Sequence, residues 1–253
     1  YPHYLPKGKA NHLESRFTGW MLLNYNKPVT VSSTHDGFYP NNAVDEDIRT
    51  YWSAATSGKN EWIISDLGAL CTVNAIQINY ADQDAEFLGK SSGAFHQYRI
   101  WSSTDGKKWQ LIVDKSRYDK DVPHDYTEFD KPVESRFIKL ENLHMPTGKF
   151  AISGLRVFGK GHGSIPEKVK ELIVLRTEND KRSAWLKWPV VDNATGYNIY
   201  LGTAPEKLYN CIMVLGRNEY WLKTMDKDLP FYFTIEAFNE NGISERTQII
   251  KSE

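Results

Sequence analysis

Apolar and polar residues alternate along most of this chain in short runs, and turn residues rather than helical spacing separate them. Between residues 61 and 80 the runs Glu-Trp-Ile-Ile-Ser-Asp-Leu-Gly and Cys-Thr-Val-Asn-Ala-Ile-Gln-Ile-Asn-Tyr keep a period of two. That spacing predicts two strands separated by Asp66-Leu67-Gly68. Residues 97–103 and 108–114 flank Thr104-Asp105-Gly106-Lys107, where Asp-Gly supplies the positive φ that a tight hairpin reversal needs. Alternating runs recur at 136–141 and 154–158, bounded by turns such as Met145-Pro146-Thr147-Gly148. Short strands at this spacing predict a sandwich or barrel.

The alternation stops at Gly159-Lys160-Gly161-His162-Gly163-Ser164-Ile165-Pro166. No helix with a lysine and a hydroxyl residue follows these glycines, so they read as a linker and not as a phosphate loop. Beyond it, strand-like runs at 172–176, 184–188, 196–201, 209–214, 219–222, 231–238 and 247–250 predict an immunoglobulin-like sandwich. The expected layout is an N-terminal segment (1–28), a first sandwich (29–160), a linker (161–166) and a second sandwich (167–253).

Composition agrees with an all-β chain of two modest domains. In 253 residues there are 14 Tyr, 11 Phe and 8 Trp against 4 Met. Lys plus Arg number 31 and Asp plus Glu 32, interspersed, which excludes the basic footprint of a nucleic-acid binder. No apolar run is long enough to span a membrane, and the N-terminus lacks the pattern of a signal peptide. Cys71 and Cys211 fall in different predicted domains, so they read as buried small hydrophobes and not as a disulfide.

The run Asn42-Ala43-Val44-Asp45-Glu46-Asp47-Ile48-Arg49-Thr50-Tyr51-Trp52-Ser53, followed by Glu61-Trp62-Ile63-Ile64-Ser65-Asp66-Leu67-Gly68, resembles the opening of a coagulation factor 5/8 type C, or discoidin, domain of the family 32 carbohydrate-binding-module kind. The likeness continues through Tyr98-Arg99-Ile100-Trp101-Ser102-Ser103-Thr104-Asp105-Gly106-Lys107-Lys108-Trp109 and Ser135-Arg136-Phe137-Ile138-Lys139-Leu140. It ends at Ile152-Ser153-Gly154-Leu155-Arg156-Val157-Phe158-Gly159. It implies a jelly-roll-like β-sandwich. The second half is similar to a fibronectin type III domain in Ala184-Trp185-Leu186-Lys187-Trp188, Ala194-Thr195-Gly196-Tyr197-Asn198-Ile199-Tyr200 and the run from Tyr232 to Gly242. Leu229 and Tyr232 match that family's tyrosine corner, and Trp188 and Tyr197 are expected to fill the space between the sheets.

Residues 1–28 resemble the segment that joins a glycoside hydrolase family 43 type catalytic domain, such as a xylosidase or arabinofuranosidase, to an appended discoidin module. The implied setting is a non-catalytic C-terminal part of a bacterial protein that is secreted, periplasmic or at the cell surface. This part would be a monomer bearing a covalently linked catalytic domain. Trp20, Met21 and Leu22 would need cover, and are expected to pack against the discoidin sandwich.

In sugar-binding relatives a loop near the first strand holds a structural calcium ion. Carried over by motif, its ligands here are the Asn42 carbonyl, Asp45, Asp47, Thr50 and the Ser153 carbonyl, with Gly154 where a further glutamate is common. The alternative is that Asp45 and Asp47 cap a turn through backbone amides. Glycan binding in such modules sets an aromatic ring against a pyranose face, framed by polar side chains on loops at one end of the sandwich. The candidates are Tyr39, near Phe38, together with Asp82, Gln83, Phe87, Phe95 and His96 from the long 81–96 stretch. Trp52, Trp62, Trp101 and Trp109 read as packing residues. His124 and His144 could form a metal pair, but lack a third ligand at suitable spacing, so satisfied loop histidines are the simpler reading.

No pair of carboxylates stands out as the acid and base of a glycosidase, and the short motifs of serine, cysteine and zinc hydrolases are absent. The chain is therefore expected to be non-catalytic. Two roles remain open: a carbohydrate-binding and spacer region, or modules that position a catalytic domain without binding sugar.

Overall fold

The computed structural model describes residues 19–86, 93–223 and 225–252. The chain is all-β, and it divides into two compact units, Trp20–His162 and the residues from Gly163 onward. Among the described residues no helix is long and apolar enough to cross a membrane.

The first unit contains β1 (Met21–Leu22), β2 (Val29–Val31), β3 (Trp52–Ser53), β4 (Trp62–Tyr80), β5 (Gln97–Ser103), β6 (Gln110–Asp114), β7 (His124–His144) and β8 (Ala151–Gly161). All pairings are antiparallel, in the order β1-β8-β4-β7-β5-β6, with β2 added to β4 and β3 to β8. The two long strands β4 and β7 pair with each other from Trp62 opposite Glu141 to Asn79 opposite His124. The first part of β4 pairs Trp62–Asp66 with Glu141–Phe137 and carries β2, whereas the later part pairs with β8 from Cys71 opposite Gly161 to Tyr80 opposite Ile152.

The sequence therefore misleads at Asp66-Leu67-Gly68, where two strands are expected and one bent strand is found. Leu67 is fully buried, so the chain cannot leave the core here, and the extra residues form a bulge with Gly68 at φ +81°. The Gly68 amide donates to Asp66 Oδ1 at 2.8 Å, and Arg136 grips the same carboxylate with two bonds of 2.9 Å. Hydrogen bonding from Arg136 holds the Asp66 carboxyl below the usual range. The hairpin between β5 and β6 forms as predicted, with Gly106 at φ +72°.

Trp52, Tyr98, Phe150 and the alternate residues Ile63, Val73, Ile76, Ile78, Ile100, Ile138 and Leu140 make up the core. Of the four tryptophans expected to pack, only Trp52 is buried; Trp62, Trp101 and Trp109 are half-buried. Two of them find polar partners, with Trp101 Nε1 donating to Glu141 Oε2 at 3.1 Å and Lys139 Nζ lying 5.5 Å from the Trp62 ring centre. Residues 20–28, assigned from sequence to a separate segment, are part of this sandwich. Met21 and Leu22 pair with Gly159 and Phe158, and Leu23 and Asn24 are buried.

The second unit contains β9 (Ile173–Arg176), β10 (Ala184–Lys187), β11 (Gly196–Gly202), β12 (Asn210–Leu215), β13 (Glu219–Leu222), β14 (Phe231–Asn239), β15 (Gly242–Ile243) and β16 (Ile250–Ser252). Three strands in the order β13-β10-β9 form one sheet, and β12-β11-β14-β15 with β16 on β14 form the other. Trp188 and Tyr197 meet edge to face at 5.2 Å in its core, as expected. Leu229 is 46% exposed. Cys211 is exposed, contrary to expectation, while Cys71 is buried. Residues 163–164 are not a loose linker: the Gly163 amide donates to Asn241 Oδ1 at 2.8 Å, and Asn239 donates to the Ser164 carbonyl at 2.9 Å. On the outer face of the three-stranded sheet Leu175, Trp185 and Trp221 stand side by side across the strands and are partly exposed.

Candidate functional site

Three loops of the first unit meet around residues 32–41, 81–86 and 145–149. The first is a tight turn in which the His35 amide donates to the Ser53 carbonyl at 2.8 Å and the Phe38 amide to the His35 carbonyl at 3.1 Å, with Gly37 at φ +85°. Pro40 then opens a 3₁₀ helix, Pro40–Ala43, for which Tyr39 is the extended N-cap residue. This geometry stacks His35 on Phe38 at 5.4 Å between ring centres and Phe38 on Tyr51 at 4.7 Å, and leaves Tyr39 65% exposed.

Polar groups frame these rings. Lys149 Nζ lies 2.6 Å from Asp84 Oδ2 and 3.3 Å from His35 Nδ1. The Tyr51 hydroxyl donates to Gln83 Oε1 at 2.8 Å, and Gln83 Nε2 donates to Asp84 Oδ1 at 2.8 Å. Hydrogen bonding from Lys149 pulls the Asp84 carboxyl below its ordinary range. Gly148 lets the third loop lie against the second: a Cβ there would sit 2.3 Å from the Gln83 carbonyl, and its φ is +68°. The Lys149 amide donates to that same carbonyl at 2.9 Å.

The model of the F5/8 type C domain matches residues 28–154. The chain belongs to the F5/8 type C family. Among solved structures, a chitosan-binding module of a chitosanase/glucanase from Paenibacillus sp. IK-5 is 23% identical, with 55% of this chain and 99% of that one covered and a TM-score of 0.45. A fucose-binding module of Streptococcus pneumoniae is 19% identical, covering 56% and 98% at a TM-score of 0.45. A family 32 carbohydrate-binding module of C. perfringens in complex with galactose is 18% identical, covering 52% and 92% at 0.42. No curated protein matches the chain.

The F5/8 type C unit separates the residues that the sequence groups as one site. Tyr39 directly follows Phe38 of the stacked rings and is exposed. Gln83 is buried and supports Tyr51 and Asp84 instead of facing solvent. Asp82 and His96 line a separate cleft, of which none of the stacked rings is part. Phe95 is half-buried against His144, 4.4 Å between ring centres, so it packs. Phe87 lies outside the described residues. Sequence reasoning missed Tyr51, Asp84 and Lys149; the signal for Lys149 was the Pro146-Thr147-Gly148 turn that precedes it.

In the Asp45–Thr50 turn three of the expected metal ligands, Asp45, Asp47 and Thr50, bond to one another. Asp45 Oδ1 accepts the Asp47 amide at 2.9 Å and Oδ2 accepts the Thr50 hydroxyl at 2.7 Å, while Asp47 Oδ1 accepts the Arg49 amide at 3.0 Å. Asn42 Nδ2 donates to the Tyr51 carbonyl and Ser153 Oγ to the Asn79 carbonyl. Glu46, at φ +61°, pairs with Arg156 at 2.6 Å. Among the described residues no group of three or more His, Cys, Asp and Glu converges to hold a metal ion. His124 Nδ1 lies 3.1 Å from Asn79 Oδ1, and His144 Nε2 is buried without a partner among the described residues.

Proposed function

We propose that the F5/8 type C unit binds a carbohydrate on the ring cluster of His35, Phe38, Tyr39 and Tyr51, with Lys149 and Asp84 reading its hydroxyls. One observation carries this reading: the stacked rings of His35, Phe38 and Tyr51 carry a braced Lys149–Asp84 ion pair at His35, in a turn whose Tyr39 is exposed. Rings supply apolar area for the C–H face of a sugar, and a prealigned ammonium and carboxylate supply direction. Tethered to a catalytic domain of the family 43 type in a secreted bacterial protein, such a unit would raise the local concentration of its polysaccharide. We read the second unit as a fibronectin type III spacer, on the strength of its three-strand and five-strand sheets. The exposed Leu175, Trp185 and Trp221 row favours a second reading, in which that unit packs on the linked catalytic domain.

A glycan array with the full chain, followed by titration of each hit, tests the binding. Tyr39→Ala and Lys149→Ala should each weaken a hit about tenfold, a loss of about 1.4 kcal/mol. Silence across plant, host and algal glycans from a folded protein, or variants that bind like the parent, would refute it.

We further propose that the Asp45–Thr50 turn is held by its own capping bonds and not by calcium. A calcium ion wants six to eight oxygens, whereas Gly154 offers no side chain, and Asp45 Oδ1, Asp45 Oδ2 and Asp47 Oδ1 are each turned toward a donor of the turn itself. Chelator should therefore shift Tm by less than about 1 °C, because an ion that the turn does not bind cannot stabilise the fold by mass action. A rise of several degrees with millimolar calcium would restore the metal.

A further inference from the structure

The stacked rings and their polar frame form a closed circuit of six side chains. His35 stacks on Phe38, and Phe38 on Tyr51. The Tyr51 hydroxyl donates to Gln83 Oε1, Gln83 Nε2 donates to Asp84 Oδ1, and Asp84 Oδ2 accepts Lys149 Nζ. Lys149 Nζ then closes the circuit at His35 Nδ1, 3.3 Å away. Because a carboxylate only accepts, Gln83 must present its amide nitrogen to Asp84 and its oxygen to Tyr51. The buried Gln83 thereby couples the ring stack to the ion pair.

The closing contact is a link whose sense depends on one proton. A lysine ammonium has donors and no acceptor, so His35 Nδ1 must accept, and the neutral ring carries its hydrogen on Nε2. A second proton on the ring turns Nδ1 into a donor that faces an ammonium. That removes a hydrogen bond and sets two positive charges against each other. Histidines change charge between about pH 8 and about pH 5, and the carboxylates near this one stay ionised over that range. Hydrogen bonding from Lys149 holds the Asp84 carboxyl below its ordinary range. Against the effect of burial, the Ser32, Thr56 and Ser33 donors keep Glu61 low as well, and Asp36, next to His35 in the chain, is exposed to water.

We infer that His35 is a pH switch for the glycan site: the neutral ring closes the circuit and aligns Lys149 with Asp84, and the protonated ring opens it and releases the glycan. The inference rests on the carbohydrate reading of this site. With the ring protonated, the Lys149 ammonium is pushed off Nδ1 and draws on Asp84 alone, so the two groups that read hydroxyls lose the fixed direction that makes a site preorganised. Because Gln83 ties Asp84 to Tyr51, the disturbance also reaches the ring stack. Affinity is therefore highest at neutral and slightly alkaline pH and falls in mild acid.

The first test needs no ligand. Nitrogen-15 spectra of the histidine side chains in the full chain, assigned with His35→Gln, should show the neutral His35 ring with its hydrogen on Nε2 and a bare Nδ1. A neutral ring with its hydrogen on Nδ1 would overturn the circuit. The second test is calorimetric titration of the full chain with a glycan-array hit at about pH 8 and about pH 5. The parent should bind about tenfold more weakly at the lower pH. His35→Gln, whatever its own affinity, should bind equally at both, because its amide oxygen accepts from Lys149 and takes up no proton. An unchanged parent affinity, or a fall that His35→Gln retains, would overturn the switch and leave the ring-cluster reading standing. Silence across the array would sink both.

Discussion

Single residues of this fold are held by unusually explicit polar bookkeeping, and Glu61 is the sharpest case. Its side chain is buried, yet its carboxylate accepts the Ser33 and Thr56 hydroxyls at 2.7 Å and that of Ser32 as well. Burial alone would raise its pKa, but the donors from Ser32, Thr56 and Ser33 outweigh that and hold it below the ordinary glutamate range. A carboxyl lowered in the folded state stabilises the protein above its unfolded pKa, near 4.3, and loses that contribution as pH falls through the folded value. Glu61→Gln should therefore cost about 1–3 kcal/mol at neutral pH. The gap should narrow in acid, where the parent is itself protonated. Urea unfolding at both ends of that range checks it, and an equal loss at both would show that the charge is irrelevant. Nothing in the alternating pattern around Glu61-Trp62-Ile63 reveals this cluster, because Ser32 and Ser33 come from a segment 29 and 28 residues away.

Elements were more legible than sites, and the reason is periodicity. Alternation specified the faces of β4 and β5, and Asp105-Gly106 specified a hairpin, since both are local properties. The bend in β4 was not legible, because it depends on Leu67 being needed in the core and on Arg136, seventy residues away, clamping Asp66. The site suffered the same limit. Tyr39 was legible as a ring in a polar turn, whereas the burial of Gln83 and the place of Asp82 in a separate cleft depend on how the loops pack, including the close contact at Gly148. That contact makes a prediction for the element: Gly148→Ala places a methyl 2.3 Å from the Gln83 carbonyl at a φ that disfavours side chains. The 81–86 and 145–149 loops must separate, so glycan affinity should fall by at least about tenfold while the stability loss stays near 1–3 kcal/mol. Binding data alongside thermal melts distinguish this from global unfolding, and unchanged affinity would show that the two loops do not need each other.

At the scale of the whole molecule, the family match begins at residue 28, but the physical unit begins earlier. Leu23 is fully buried, and Met21 and Leu22 extend the sheet as β1 beside β8. Asn24 is a rivet: its Nδ2 donates to the Leu155 carbonyl at 2.7 Å and to Ser65 Oγ at 3.3 Å, and its Oδ1 accepts the Val157 amide at 3.0 Å. It thus ties the N-terminal strand to β8 in the middle of the sandwich. A chain begun at Val29 would lose the burial of Leu23, about 1.5–3 kcal/mol. It would also strand the Leu155 carbonyl and the Val157 amide inside the fold, at about 1–3 kcal/mol each. Together these are on the order of the net stability of a domain. A chain spanning 19–162 should therefore fold and melt cooperatively, and one spanning 29–162 should be insoluble or molten under the same conditions. Near-ultraviolet circular dichroism and amide exchange decide between them. A shortened chain that melts within a few degrees of the longer one would show that Asn24 and β1 are attached to a sandwich already complete without them.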